Sequence, residues 1–192
     1  RAQAAWPVQQ ITLVAPFPAG GTVDQFCRMV QPGLGAKLGA TIIVENKPGA
    51  QGSIGAAQVA KAKPDGSSWL FVFDTHAVNP ALQTLPFDTE KDLEPVLLIG
   101  TSPHILVCHP DKPWKSFADI MEGAKKDPGK INYGSIGTGS LGHLTGVLLT
   151  KRAGIQMTHV PFRGGGPLLN DTVAGHIDTG MASSALYNQQ IG

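Results

Sequence analysis

Charge is scarce in this sequence. Lys, Arg, Asp and Glu make up 15% of its 192 residues, against roughly 25% in an ordinary globular chain. Fifteen basic residues against fourteen acidic ones leave a formal charge of +1. Strong electrostatic capture of nucleic acid needs clustered basic residues, so it is ruled out. No apolar run approaches the roughly 18 residues of a membrane-spanning helix. Two cysteines, Cys27 and Cys108, cannot make a disulfide scaffold, and either reads as a small buried apolar residue. Catalytic and metal motifs are absent too. There is no H-E-x-x-H, no pair of C-x-x-C and no G-x-S-x-G around any serine. On a strand His104 and Cys108 share a face while His109 takes the other, so three metal ligands do not converge. No metal and no cofactor is expected.

Glycine and proline are abundant, at 24 and 15 residues, without a collagen-like period, which suggests many structured turns. The chain opens with Ala2-Gln3-Ala4, the small-x-small form of a signal-peptidase site. This reads as the stub left by export processing, or as extraneous residues.

Strands then alternate with helices. Ile11–Ala15 reads as a buried strand. A helix follows with apolar positions Val23, Phe26, Cys27, Val30, Leu34 and Leu38, mostly three or four apart. Thr22 and Gln25 have capping-box spacing, and Pro32 is expected to kink or split this helix. Thr41–Val44 is a strand, Ser53–Lys61 a helix and Trp69–Phe73 a third strand, which completes a βαβαβ unit of an open parallel sheet. A second series has strands at Val96–Ile99, His104–Cys108, Ile131–Tyr133, Met157–Val160 and Ile177–Met181. Helices are expected at Ser116–Lys126, Ser140–Arg152 and Gly166–Val173. The fold class is α/β, with a domain boundary near Gly100–Pro103.

Glycine-rich loops sit between strand and helix at Pro18–Thr22, Gly137–Ser140 and Phe162–Gly166. In an open α/β sheet, ligands bind off the carboxyl ends of the strands, where such loops lie. Glycine allows close approach to the backbone, and a helix N-terminus offers free N–H groups and partial positive charge. An anion suits such a place without any Lys or Arg. Gly137-Thr138-Gly139-Ser140-Leu141-Gly142 fits G-x-G-x-x-G, but Met157–Phe162 lacks the acidic residue that a dinucleotide ribose requires. There is no nucleotide-triphosphate loop either, so a small carboxylate remains. Asp74 and His76 end a strand where ligands bind. They suit acid–base work, ligand binding or helix capping. His143, one turn into a helix, either reaches the anion or lies on the helix surface.

Several motifs, in order, resemble one family. Pro7-Val8 with Ile11–Asp24, Val44–Gly55, Pro64-Asp65-Gly66, Pro86-Phe87-Asp88, Tyr133–Leu144 and His159–Pro167 look like the signatures of the periplasmic solute receptors of tripartite tricarboxylate transporters, the TctC or Bug family. The resemblance covers nearly all of the chain. It implies a periplasmic-binding-protein-like architecture of two α/β domains, with open, mostly parallel sheets and helices on both faces. The cleft between them would close on a carboxylate. Residues 1–100 would form the first part of domain one and residues 101–192 most of domain two.

The resemblance implies that the ligand is held by Phe17, Ala19, Gly20, Thr22 and Asp24, by Asp74 and His76, by Gly137, Thr138, Ser140 and His143, and by Phe162 and Gly164. Asp24 would bind water or backbone N–H groups rather than the anion. Family members run on past this point and return to domain one, so a truncated piece, or strands supplied by another copy, is expected. Ala182–Ala185 lacks the acidic residue relatives often carry there, which favours plain carboxylates over amino acids. The implied function is an exported, non-enzymatic receptor that delivers a small organic carboxylate to a membrane permease. The alternatives are an enzyme acting on a carboxylate through Asp74, His76 or His143, and a remnant that no longer binds.

Overall fold

A computed structural model describes residues 6–191. The Ala2-Gln3-Ala4 motif lies outside them. The chain divides into two compact units, with the division between Leu98 and Ile99.

The first unit is built on a parallel sheet. Strand β1, Gln10–Ala15, leads into helix α1, Thr22–Leu38. Strand β2, Thr41–Asn46, is followed by a tight turn at Ala50–Gly52 and by helix α2, Ser53–Ala60. Strand β3, Ser68–Leu70, precedes helix α3, Thr75–Leu82. The order is β2-β1-β3, and both pairings are parallel. Ile11, Leu13 and Ala15 of the central strand are fully buried, and pack with Phe17, Val23, Cys27 and Ile42. A central strand covered on both faces explains why β1 reads as a continuous apolar run.

The second unit holds strand β4, His104–Val107, and helix α4, Phe117–Lys126. Strand β5, Asn132–Ser135, leads to helix α5, Leu141–Ala153. Strand β6, Thr158–Pro161, leads to helix α6, Gly165–Val173. Strand β7, Thr179–Ser183, runs into the short helix α7, Ser184–Tyr187. The order is β4-β7-β5-β6, with only the β4–β7 pair antiparallel. Tyr187, Leu186, Ala182 and Leu168 form one core cluster; Ile120, Ala124, Ile131 and Ile155 form another. Helix α4 starts with a full capping box, Ser116 and Asp119 satisfying each other's backbone N–H groups.

Four local expectations need correction. No strand forms at Val96–Ile99, whose side chains are 48–79% exposed. An apolar run becomes a strand only where a neighbouring ladder receives it. Regular pairing in β3 stops at Leu70 rather than Phe73, although the Phe71 N–H still reaches Val14 O at 3.0 Å. The N-cap of α1 is Gly21, with Thr22 already helical, so no capping box forms there. Pro32 does not split α1. It sits exposed within one continuous helix.

Candidate functional site

In the first unit the β1–α1 loop is tied down by one carboxylate. Asp24 is 4% exposed. Its Oδ2 accepts the Gly20 N–H at 2.9 Å, and its Oδ1 accepts from Asn46 Nδ2 at 3.0 Å and Arg28 Nη2 at 3.0 Å. Asn46 Nδ2 also donates to Phe17 O at 3.1 Å, so β2 holds both ends of the loop. Burial alone would raise the Asp24 pKa. Hydrogen bonds from Arg28, Gly20 and Asn46 outweigh it and hold the group below the ordinary aspartate range. Asp24 therefore binds the loop itself, and the Gly20 amide, with φ +83°, is spent on it. Phe17 lies in the core at 6% exposure, its ring 5.4 Å from that of Phe73. Ala19 and Thr22 keep N–H groups without a partner among the described residues.

Asp74 is the N-cap residue of α3 and is exposed. His76, half-buried in the first turn, stacks on Phe87 with centroids 6.3 Å apart, and burial pushes its pKa down. A wide groove of about 1020 Å³ runs along α3 and the 83–90 segment. His76 reaches it, but the glycine loop does not line it. A much smaller recess, about 150 Å³ in all, lies closer to the strand ends, against Phe17, Gln51, Thr75, His76 and Asn79.

The glycine-bearing Asn46–Gly52 loop counts in the sequence with the other three toward an anion site, but no role for Gln51 itself is legible there. It closes a turn in which the Gly52 N–H donates to Gly49 O at 3.0 Å, with Ala50 at φ +44° and Gln51 at φ +56°. Both are non-glycine residues in left-handed conformation, which stores strain. Helix α3 clamps the turn: Asn79 Nδ2 donates to Gln51 O at 3.1 Å and Gln83 Nε2 to Ala50 O at 3.2 Å. The Gln51 Oε1 is buried with no partner among the described residues. The pair of non-glycine residues between Gly49 and Gly52 was the only signal in the sequence.

In the second unit the loops after β5 and β6 lie side by side, since a Cβ on Gly137 would stand 3.5 Å from Phe162 O. Ser140 is fully buried and caps α5 by accepting the His143 N–H at 3.3 Å. The Gly139 N–H donates to His143 Nδ1 at 3.0 Å, and the Gly137 N–H to Ser135 Oγ at 3.3 Å. Ser140 N–H turns back to Gly137 O at 3.2 Å. The expectation of a loop whose amides all face a guest therefore needs correction. Thr138 is the exception: exposed, with neither its N–H nor its hydroxyl bonded among the described residues. The N–H groups of Gly164, Gly165 and Gly166 at the start of α6 are also unpaired among them. The Phe162 ring packs into the core beside Leu168.

His143 does not lie loose on the helix surface. Its ring stacks on His159 with centroids 4.2 Å apart, and His159 Nε2 meets Ser135 Oγ at 2.7 Å. Burial, helped by His143, holds His159 down at about 4, so it is neutral at ordinary pH. His159 was missed because its partners stand on β5 and α5, with no local pattern joining them.

Cys27 and Cys108 are both free, and burial, with Asp24 nearby, pushes the Cys27 thiol up to about 12. No cluster of three metal-ligating residues exists among the described residues. Nor is any helix among them long and apolar enough to cross a membrane.

Comparison with known proteins agrees with this architecture. A family model described as tripartite tricarboxylate transporter family receptor matches residues 26–191. A UPF0065 protein from the tcbD-tcbE intergenic region of Pseudomonas sp. (strain P51) is 35% identical over 97% of this chain and 56% of its own length. The solved periplasmic binding protein BugD superposes with a TM-score of 0.89 at 32% identity, covering 97% of this chain and 62% of that one. An R. palustris protein solved with adipate gives a TM-score of 0.91 at 32% identity, over 96% of this chain and 62% of that one. The chain spans about half the length of the curated relatives it matches. With the family model covering most of its residues and its α/β sheets matching those of periplasmic binding proteins, the chain belongs to the receptor family of the tripartite tricarboxylate transporters.

Proposed function

We propose that this chain is the ligand-capturing part of a periplasmic receptor for a small organic carboxylate. The two units would close on the acid by a hinge motion, and the loaded receptor would hand it to a membrane permease. It would act without chemistry, taking neither metal nor cofactor. The observation that carries the reading is the set of unpaired donors at helix starts in a charge-poor chain: the Thr138 N–H and hydroxyl, and the amides of Gly164–Gly166 beside them. Thr22 and Ala19 would supply donors from the first unit. Asp24, Ser140, Phe17 and Phe162 would hold the loops in place rather than touch the acid. Asp74 and His76 would line the site at the strand ends.

The magnitudes are of the right order. Micromolar binding needs about −8 kcal/mol. Hydrogen bonds to a charged group contribute roughly 1.5–3 kcal/mol each, and a helix terminus about 0.3–2 kcal/mol. Four such bonds and two termini sum to roughly 7–16 kcal/mol, a range that brackets the requirement before association and closure costs are subtracted. A thermal-shift screen against mono- and dicarboxylates, aromatic acids and amino acids tests the reading. Carboxylates should raise the melting temperature and amino acids should not. If no organic acid raises it, the receptor reading fails. Product formed from a bound acid would replace it with an enzymatic one.

A further inference from the structure

The Gly137–Ser140 loop is bonded to titratable side chains, and this gives it a property that the first unit's loop lacks. His143 Nδ1 accepts the Gly139 N–H at 3.0 Å, so in its neutral form the ring carries its proton on Nε2. A second proton must go onto Nδ1. Once there, it destroys the acceptor and sets two N–H groups face to face. The Gly139 amide is then released beside Thr138, whose own amide and hydroxyl are already unpaired among the described residues. We infer that the loop takes up a proton on His143 as it captures a carboxylate, so that Gly139 becomes a ligand donor only in the protonated, loaded form. This rests on the carboxylate-receptor reading and deepens it.

The surroundings direct the proton to His143. Its stacking partner His159 is occupied at Nε2 by Ser135 Oγ, at 2.7 Å. His159 is also held neutral by burial. From β5, Tyr133 faces His159 with centroids 5.0 Å apart, and burial keeps its phenol protonated. Strand β7, also packed on α5, offers no titratable side chain over Thr179–Ser183. On α5 itself the cations Lys151 and Arg152 stand in the last turn, two turns away, and Arg163 is exposed on the loop after β6. No carboxylate of these elements faces the pair. A cation in the first turn of a helix is opposed by the terminus's partial positive charge, and an anion at the same terminus relieves that opposition. Proton and carboxylate therefore bind with positive linkage, and each strengthens the other's hold.

His159 is a positioning residue. It stacks on the His143 ring and, through Ser135, reaches Gly137, whose N–H and O both meet the same hydroxyl at 3.3 Å and 3.0 Å. Gly137 is thus tied to β5 through Ser135, and Gly139 to α5 through His143, with His159 touching both anchors.

The test is calorimetry with adipate and with succinate, between about pH 6 and about pH 8, where imidazole titrates and the two acids stay largely ionised. Wild type should bind about five- to tenfold more tightly at the acid end and take up a fraction of a proton, read by repeating the titration in buffers of different ionisation enthalpy. His143→Gln keeps an acceptor for Gly139 but cannot titrate. It should flatten the pH profile and abolish the uptake while binding survives. His159→Phe keeps a stacking ring but loses the Ser135 bond. It should weaken binding at every pH and leave the slope in place. Binding of either acid with no proton uptake by wild type overturns this inference and leaves the receptor reading standing, and that measurement needs no variant. A pH slope retained in His143→Gln also overturns it. If neither acid binds at any pH, this inference falls together with its basis, and the wider acid screen decides whether the receptor reading survives.

Discussion

The two glycine loops occupy equivalent places, each after a parallel strand and before a helix, but they are held by different chemistry. In the first unit the loop is anchored by an ionised carboxylate: Asp24 grips Gly20, Arg28 and Asn46 at 2.9–3.0 Å. In the second the anchor is a hydroxyl and two imidazoles, with Ser135, His159 and His143 reaching Gly137 and Gly139. A buried carboxylate tied by three partners keeps its charge across the neutral range. A hydrogen-bonded imidazole does not. One loop is thus held by a fixed charge, and the other by groups that can take up a proton. A chain so poor in formal charge places the one buried carboxylate among its described residues where geometry must not vary.

The largest expected effect comes from breaking the steric seat of the second loop. A Cβ on Gly142 would stand 2.4 Å from the carbonyl oxygen of Met181 on β7. Backbone cannot yield cheaply there, so Gly142→Ala must lift the start of α5 off the sheet. The expected loss is about 3 kcal/mol, the upper end of ordinary overpacking. It should be independent of pH, as chemical denaturation at about pH 5 and about pH 8 would read. A tolerated alanine would show that this loop is not seated by close contact.

Next comes the anchor of the first loop. Asp24→Ala leaves the Gly20 amide and Asn46 without their acceptor while Arg28, half-exposed, regains water. About 2 kcal/mol should be lost. Here pH matters. The folded Asp24 carboxyl lies below its unfolded value, so its stabilisation is present above about pH 4. It is lost as pH falls through the folded value. Wild type should therefore lose stability on acidification more steeply than Asp24→Ala. Parallel acid-unfolding curves would remove the contrast between the two anchors.

Much of this was legible in the sequence, and the exceptions have physical reasons. Ile11–Ala15 declared itself because a strand covered on both faces is apolar throughout. The α4 start was readable because Ser116 is a good cap residue, and the structure adds Asp119 as its capping-box partner. Val96–Ile99 carries the same apolar signature as β1, yet hydrophobicity marks only willingness to pair, and the pairing ladder is decided elsewhere. The glycine loops were located correctly, but the use of their amides was not. Asp24 and Gly20 are four residues apart, and that contact lay within reach of local reasoning. Ser135 and His159 are 24 residues apart and meet only because β5 and β6 are neighbours. Gln51 escaped because φ is not written in composition.

That turn gives a smaller prediction, of opposite sign. Gln51→Gly removes a side chain whose Oε1 is buried without a partner among the described residues, and relieves a backbone at φ +56°. Left-handed strain costs about 1–3 kcal/mol, and glycine's extra unfolded freedom returns roughly 0.5–1 kcal/mol of that. The variant should be about 1 kcal/mol more stable, with a melting temperature a few degrees higher. Equal or lower stability would mean that Asn79 and Gln83 have already relaxed the turn from α3.

The smallest effect on stability isolates the second loop's ligand contact from its anchoring. Thr138 is exposed and bonded to nothing among the described residues, so Thr138→Val should leave the melting temperature of the free protein unchanged. Valine keeps the backbone N–H and the branched shape, and deletes one hydroxyl. If that hydroxyl donates to a carboxylate, its removal costs about 1.5 kcal/mol, the lower end for a bond to a charged group, or about tenfold in affinity. The loss should be similar at both ends of the pH window, because threonine carries no titrating proton. His143 variants should instead change the slope. Calorimetry on the two single variants and the double therefore separates contact from control. Additive losses would mean that Thr138 and His143 act on the acid independently. A Thr138→Val protein that binds as well as wild type would exclude the Thr138 hydroxyl as a donor and leave main-chain amides to hold the acid.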